Sequence, residues 1–138
     1  MSDWLIPYLT FDGNCEEAVK FYQKTLNGEI QIMHYSDAPS NPNFPIPDSA
    51  KNRVLHAELR KNGNVIRFSD TFPGAPYSRG NNISFSLEFN TKDETKSIFE
   101  TLSEGGNIEI EPQETHFSPL YSKFTDRFGV IWQLRCKP

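Results

Sequence analysis

The sequence predicts an α+β protein made of two tandem βαβββ modules, and three observations predict it. The order strand, helix, strand, strand, strand can be read twice along the chain. Each helical stretch carries apolar residues three and four apart, whereas the flanking stretches alternate apolar with polar, so the period changes between 3.6 and 2 at matching places. The two copies also align at a constant offset of 78 residues. Leu9 meets Leu87, Phe11 meets Phe89, Glu16 meets Glu94, Phe21 meets Phe99, Gly28 meets Gly106, Ile30 meets Ile108 and Ile32 meets Ile110. That is seven identities over the 28 pairs starting at Leu5, where chance would give roughly two. The matches fall on strand, helix face, helix stop and next strand, where packing restricts residue type. The expected organisation is a single domain, 1–138, with a first module over 3–73, a proline-rich loop over 36–52 inside it, and a second module over 80–137.

Leu5 to Phe11 is apolar and aromatic and predicts the first strand, which Asp12-Gly13-Asn14 ends. Asn14 is expected to cap the next helix, with Glu17 completing a capping box. Glu16 and Glu17 suit the positive end of that helix. Cys15, Ala18, Val19, Tyr22 and Leu26 form one apolar face, of the kind that builds a core rather than a partner-binding stripe. Asn27-Gly28 stops the helix, with Gly28 expected in the left-handed cap, and Glu29–Met33 alternates as a strand. Ser36 to Asn52 contains Pro39, Pro42, Pro45 and Pro47. Proline withholds a donor and fixes φ, so this stretch is a loop, and its length suits a lid or a mobile segment. Arg53–Lys61 and Val65–Ser69 are strands joined by a hairpin at Asn62-Gly63-Asn64, and Thr71 to Asn82 reads as a linker. In the second half Ile83–Phe89 is a strand. Thr91-Lys92-Asp93-Glu94 is a capping-box signature before a helix holding Ile98, Phe99 and Leu102, and Gly105-Gly106 ends it. Ile108–Ile110, Leu120–Thr125 and Val130–Arg135 are the remaining strands, the last two joined by Asp126-Arg127-Phe128-Gly129.

Composition narrows the function classes. With 23% charged residues the chain is an ordinary globule, and no apolar stretch approaches the ~20 residues of a membrane span. A net charge of −4 argues against nucleic acid, whose binding rests on clustered Lys and Arg. Met1-Ser2-Asp3-Trp4 lacks the basic-then-apolar pattern of a signal peptide, so a cytoplasmic setting is expected, with Cys15 and Cys136 as free thiols rather than one disulfide. The two cysteines sit near opposite ends of the chain, without the spacing of a structural zinc site. No Gly-rich dinucleotide turn, P-loop or Gly-x-Ser-x-Gly elbow is present. His56-Ala57-Glu58 places His56 and Glu58 on one strand face, either as an acid/base or two-ligand pair or as a polar face with a satisfied histidine. His-x-Glu also opens the zinc deaminase motif, but no Pro-Cys-x-x-Cys follows. His34 and His116 lie beside loops with no spacing signal and are expected at the surface.

The doubled βαβββ plan, together with Pro7-Tyr8-Leu9-Thr10-Phe11-Asp12-Gly13-Asn14-Cys15, Phe21-Tyr22, Phe68-Ser69-Asp70, Gln113-Glu114-Thr115 and Thr125-Asp126-Arg127-Phe128-Gly129-Val130-Ile131-Trp132, resembles the PhnB-like branch of the vicinal oxygen chelate superfamily. That superfamily includes glyoxalase I, bleomycin-resistance proteins, fosfomycin-resistance enzymes and extradiol dioxygenases. The resemblance spans nearly the whole chain. It implies a curved mixed sheet around a small-molecule cavity, and it implies a homodimer. It does not settle the reaction, because one fold hosts many chemistries.

Metal-using members of the superfamily take His and Glu ligands from the first and last strand of each module. Aligned through Phe21-Tyr22, those positions fall on Pro7, on Arg67, on Phe85 (or Ser84 after a one-residue shift) and on Gln133. None is His or carboxylate, so neither metal nor other cofactor is expected. Strand alternation puts Leu55, Ala57, Leu59, Ile66, Phe68, Val130, Trp132 and Leu134 under the helices. It leaves His56, Glu58, Arg67, Ser69 and Gln133 as a polar set that either converges on a small ligand or forms a solvated, self-paired face. Periodicity alone would put Phe85 under the helix. The repeat aligns it with Pro7, so either the register is shifted by one or Phe11, Phe85 and Phe117 are aromatic cavity walls, with Tyr121 and Gln133 supplying hydrogen bonds. The second arrangement is the expectation.

The leading functional expectation is metal-independent binding of a small molecule in the inter-module cavity. One alternative is an enzyme of the isomerase, lyase or dioxygenase type using His56 or Glu58 at a rearranged site. Another is a resistance protein that sequesters an antibiotic. Methyl transfer, a label often attached to the PhnB-like branch, is not expected.

Overall fold

The computed structural model describes residues 4–138. Residues 1–3, and with them the expected start of the first module at Asp3, lie outside the described residues. The described chain forms two compact units, one ending at Tyr77 and the other spanning Ser78–Pro138.

The first unit runs β1 (Tyr8–Phe11), α1 (Cys15–Leu26), β2 (Glu29–His34), β3 (Val54–Lys61) and β4 (Asn64–Asp70). Its sheet has the order β1-β4-β3-β2, with β1 parallel to β4 and the other neighbours antiparallel. The second unit repeats this as β5 (Phe85–Phe89), α2 (Lys92–Leu102), β6 (Asn107–Thr115), β7 (Ser118–Thr125) and β8 (Ile131–Cys136), in the order β5-β8-β7-β6. The class is therefore α+β with two βαβββ modules, and each module has its own four-stranded mixed sheet. No helix among the described residues is long and apolar enough to cross a membrane.

Each helix covers one face of its sheet. In the first unit Cys15, Ala18, Val19, Tyr22 and Leu26 of α1 are buried, as their helical spacing predicts. Below them Phe68 stacks with Phe11 at 6.4 Å and with Tyr22 at 6.0 Å between ring centres. In the second unit Thr95, Phe99 and Leu102 of α2 are buried with Phe124, Trp132 and Leu134. Stripping water from such apolar side chains stabilises by roughly 1.5–3 kcal/mol each. The face turned away from the helix makes no such contribution, so its residue choices are freer.

Several local expectations needed correction. β1 begins at Tyr8 rather than Leu5, and Trp4 and Leu5 are exposed. Pro7 cannot donate to a ladder, and it contributes only its carbonyl, which accepts from Arg67 N. Asn14 makes no side-chain cap. The donors at the start of α1 are instead met by Asp70, 4% exposed at the end of β4. Its Oδ1 accepts from Gly13 N at 2.7 Å and Cys15 N at 3.0 Å, and its Oδ2 accepts from Val54 N at 2.9 Å. At the other end of α1, Asn27 takes the left-handed cap with φ 58°, and the Lys61 ammonium donates to the carbonyl of Leu26. Gly28 is needed for a different reason: a Cβ there would come within 3.0 Å of the Arg60 carbonyl. At its repeat partner Gly106 a Cβ would come closer still to the Thr125 carbonyl. On α2, Thr91 Oγ1 accepts from Glu94 N at 3.1 Å, as expected.

In β3 the buried residues are Val54, Ala57 and Leu59 rather than Leu55, Ala57 and Leu59. Pairing with β2 slips between Met33 and His34, so Leu55 is skipped and Val54 takes the core position. β6 reaches Thr115, well beyond Ile110. Its register slips three times, and Pro112 falls inside one slip, which breaks the alternation that would reveal the strand. The proline-rich loop opens with a 3-10 turn at Tyr35–Asp37. Its two ends are held together by Tyr35 N to Arg53 O and Ser36 N to Lys51 O, and Ala50 is fully buried. Cys15 and Cys136 are both buried free thiols. Burial, followed by the charge of Asp70, pushes the Cys15 thiol far up, so it is inert at neutral pH.

Two predictions follow from these contacts. Replacing Asp70 with Asn leaves one of three buried N–H groups facing an amide NH2, and should cost about 2–4 kcal/mol in urea unfolding. A loss below 0.5 kcal/mol would remove Asp70 from its place as the anchor of α1. The second concerns His34, whose ring lies 2.5 Å from Glu16 Oε1 and 3.4 Å from Asp37 Oδ2. The Glu16 hydrogen bond raises the His34 pKa above its ordinary 6.5, and His34 in turn is the main cause of a Glu16 pKa below 4.5, helped by Lys20. The His34 contribution is therefore complete below pH 6.5 and lost as pH rises through the raised value. The Glu16 contribution is complete above pH 4.5 and lost on acidification. The half-exposed pair is worth about 1 kcal/mol at most, and in His34→Gln the slope of stability above pH 6.5 should flatten.

Candidate functional site

Side chains alternate along a strand, so the face opposite each helix is read from the same registers. In the first unit the open face carries Tyr8 of β1, Arg67 and Ser69 of β4, and His56, Glu58 and Arg60 of β3. Arg67 pairs in register with Tyr8 on one side and Glu58 on the other. Glu58 is the hub. Its Oε1 accepts from Arg67 Nε at 3.1 Å, its Oε2 accepts from Arg60 Nε at 3.1 Å, and His56 Nε2 is 3.7 Å away. Partial burial pushes the Glu58 pKa up, but Arg60 and Arg67 together outweigh that and hold it below the usual 4.5. Tyr8 is half exposed, with its ring 6.1 Å from the His56 ring. Ser69 pairs in register with Thr10 on the same face. The sequence expectation of His56, Glu58 and Arg67 on one face agrees with these placements, and much of that set is self-paired. Arg60 and Tyr8 were missed, although the same alternation places Arg60 two residues past Glu58.

In the second unit the open face joins Tyr121 of β7 to Gln133 of β8. The Tyr121 hydroxyl donates to Gln133 Oε1 at 2.6 Å, and Gln133 Nε2 donates to Ser84 Oγ at 2.8 Å. Phe117, in the His116-Phe117 turn between β6 and β7, meets Tyr121 edge-on at 5.0 Å. The Arg135 guanidinium lies 5.4 Å from the Phe117 ring centre and donates to the Phe117 carbonyl. It also lies 3.9 Å from Glu88. Phe117, Tyr121 and Gln133 are thus neighbours.

Phe85 is not among them. It pairs with Trp132 in register, the two rings are 5.8 Å apart, and Trp132 is buried under α2. Phe11 is likewise core, 1% exposed beside Phe68. Neither ring lines the face that carries Gln133 or Arg67. The one-residue shift is the correct reading of 83–89, so Ser84 takes the open-face position and the 78-residue offset carries it to Ile6.

The donors at these positions do not suit a divalent metal. Arg67 is a cation, Gln133 has its amide oxygen and nitrogen engaged, Ser84 is a neutral hydroxyl and Ile6 has no donor. Among the described residues no three His, Cys, Asp or Glu side chains group as ligands.

The two repeated βαβββ units define the fold of the glyoxalase/bleomycin resistance class. A glyoxylase/bleomycin resistance protein/dioxygenase domain from Frankia shares that fold, with a TM-score of 0.68 at 13% identity over 100% of this chain and 99% of that one. Over residues 3–135 the chain matches, and belongs to, the family described as 3-demethylubiquinone-9 3-methyltransferase, the PhnB-like family. It is 35% identical to protein YjdN of Escherichia coli K12, over 94% of this chain and 92% of that protein. Protein PA1353 from Pseudomonas aeruginosa is similar in structure, with a TM-score of 0.88 at 34% identity, covering 99% of this chain and 98% of that one. So is a putative 3-demethylubiquinone-9 3-methyltransferase, PhnB protein, from Bacillus cereus, with a TM-score of 0.80 at 26% identity, covering 97% and 99%.

The residues here do not fit S-adenosylmethionine at a helix N-terminus, where a Gly-rich turn would cradle it. At α1 the Gly13 and Cys15 amides are occupied by the buried Asp70, and at α2 the Glu94 amide is occupied by Thr91.

Proposed function

We propose that this protein binds a small organic molecule without a metal and does not transfer methyl groups. The observation that carries the reading is the Ser84–Gln133–Tyr121 chain beside Phe117. It is a connected polar network next to an aromatic ring, on a sheet face that the hydrophobic core does not use. Gln133 keeps one amide N–H, Ser84 keeps its hydroxyl proton, and Phe117 is 37% exposed. Such a combination recognises a ligand with a flat apolar part and one or two polar atoms. An acid/base role for Glu58 is disfavoured, because two guanidinium groups hold it ionised and lower its basicity. The proline-rich loop as a lid, the single-domain organisation, the homodimer and the cytoplasmic setting belong to the same proposal, and rest on the resemblance and on the sequence.

A thermal-shift screen of small aromatic and polar compounds on the purified chain tests the reading. A ligand at a hundredfold excess over its Kd should stabilise by about 2.7 kcal/mol, a rise of several degrees. Gln133→Leu should abolish the rise, and Tyr121→Phe should weaken binding about tenfold, as expected for one lost hydrogen bond of ~1.4 kcal/mol. A ligand that shifts wild type and Gln133→Leu equally would place binding elsewhere. Turnover of a bound compound that survives His56→Ala and Glu58→Gln would dispose of the acid/base alternative. One chain mass by light scattering would refute the homodimer.

A further inference from the structure

We propose that Arg67 is the anion-recognising group of this protein, taking an organic oxyanion such as a carboxylate or a phosphate monoester at the open face of the first sheet. The inference rests on the small-molecule reading above and names the chemical class of ligand. A guanidinium has five N–H donors. The Nε donor of Arg67 is held by Glu58 Oε1, and its two Nη groups have no protein partner among the described residues. Four donors are thus oriented in a plane and left without an acceptor. A free arginine must be ordered when a ligand arrives, whereas this one is ordered in advance by a carboxylate that is itself fixed by Arg60.

The neighbours of Arg67 favour the same ligand. Arg60 faces Glu29 across the ladder and turns Nε and one Nη toward Glu58, whereas Arg67 meets Glu58 through Nε and keeps both Nη groups. His56 stands beside Glu58 and can add a donor. The Tyr8 ring flanks Arg67 from β1 and offers an apolar surface to the body of an anion whose charge meets the guanidinium. Planar, bidentate pairing of arginine with carboxylate or phosphate is strong and geometrically selective. A fixed side-chain cation stands here in a chain whose net charge is −4.

Benzoate, its neutral analogue benzamide, and inorganic phosphate, each added at constant ionic strength, distinguish the outcomes. The readout is the 15N–1H resonance of Arg67 Nε, with the Gln133 side-chain amide followed in parallel. Benzoate and phosphate should shift the Arg67 signal saturably, and benzoate should bind at least tenfold more tightly than benzamide. Arg67→Gln should remove the benzoate response, whereas Lys24→Gln, which deletes an equal charge on the exposed side of α1, should leave it within twofold. Equal responses to benzoate and benzamide, or no Arg67 shift at 50 mM benzoate, would overturn the proposal. Benzamide that shifts the Gln133 amide while Arg67 stays silent to both anions would overturn it and leave small-molecule binding intact. Saturation by benzoate but not phosphate would assign the site to carboxylates, and the reverse to phosphates.

Discussion

The first unit depends on one buried carboxylate. Asp70 closes β4, and from there it accepts from the turn after β1, from the first residue of α1 and from the first residue of β3. It therefore sets where the helix starts and where the antiparallel hairpin enters the sheet. The second unit solves the same problem differently. The register position of Asp70 beside Phe11 becomes Cys136 beside Phe89, and α2 is capped by its own Thr91. The buried carboxylate there is Asp126, which accepts from Phe128 N, Val130 N and the Trp132 indole and holds the β7–β8 turn. Among the described residues each unit thus buries one acid, and each acid earns its place by meeting three backbone or indole N–H donors.

This anchoring fixes which face of each sheet packs and which stays open. Once α1 is pinned at Asp70, its apolar stripe lies on Phe11, Phe68 and Leu59. The alternate residues Tyr8, His56, Glu58, Arg67 and Ser69 then fall on the far side. Their chemistry follows from that position. Polar groups there need no burial, so they can be held by one another and still reach a ligand. The ion pairs on Glu58 are half exposed and add little to stability. What they add is orientation: a guanidinium held at Nε presents its remaining donors in a known plane.

Much of this was legible in sequence, for identifiable reasons. The repeat was readable because helix stop and helix face are constrained by packing. Gly28 and Gly106 were found that way, although the constraint is a close carbonyl rather than left-handed backbone. The grouping of His56, Glu58 and Arg67 followed from alternation along strands, whereas Phe117 was expected as a cavity wall together with Phe11 and Phe85, with Tyr121 and Gln133 as its hydrogen-bonding groups. Asp70 was not legible as an anchor. Its partners Gly13, Cys15 and Val54 are 57, 55 and 16 residues away, while Asn14 offered a local cap that simple propensity prefers. Leu55 and the end of β6 were missed because bulges shift the alternation without any marker beyond Pro112. Phe85 was assigned to the wrong face because the alignment through Phe21-Tyr22 was one residue out at the strand, where periodicity alone was right.

The two copies have also parted in an ordered way. The paired residues Leu9 and Leu87, Phe11 and Phe89, and Phe21 and Phe99 remain identical, and in both units the first two of these pairs lie on the helix-side parity of the first strand. On the open face the equivalent positions differ in chemistry. Tyr8 beside Arg67 becomes Ser86 beside Gln133, and Thr10 beside Ser69 becomes Glu88 beside Arg135. In the second unit the arginine has moved one pair along the ladder. It stands near Glu88 and over Phe117, where its Nη2 donates to the Phe117 carbonyl. The position opposite Ser86 is left to a neutral amide, Gln133. Packing held one face of each sheet alike while the other was free to change. The open face of the first unit thereby carries Arg67 held by Glu58, and that of the second a Tyr121–Gln133–Ser84 hydrogen-bonding network with Lys123 in register beside Gln133.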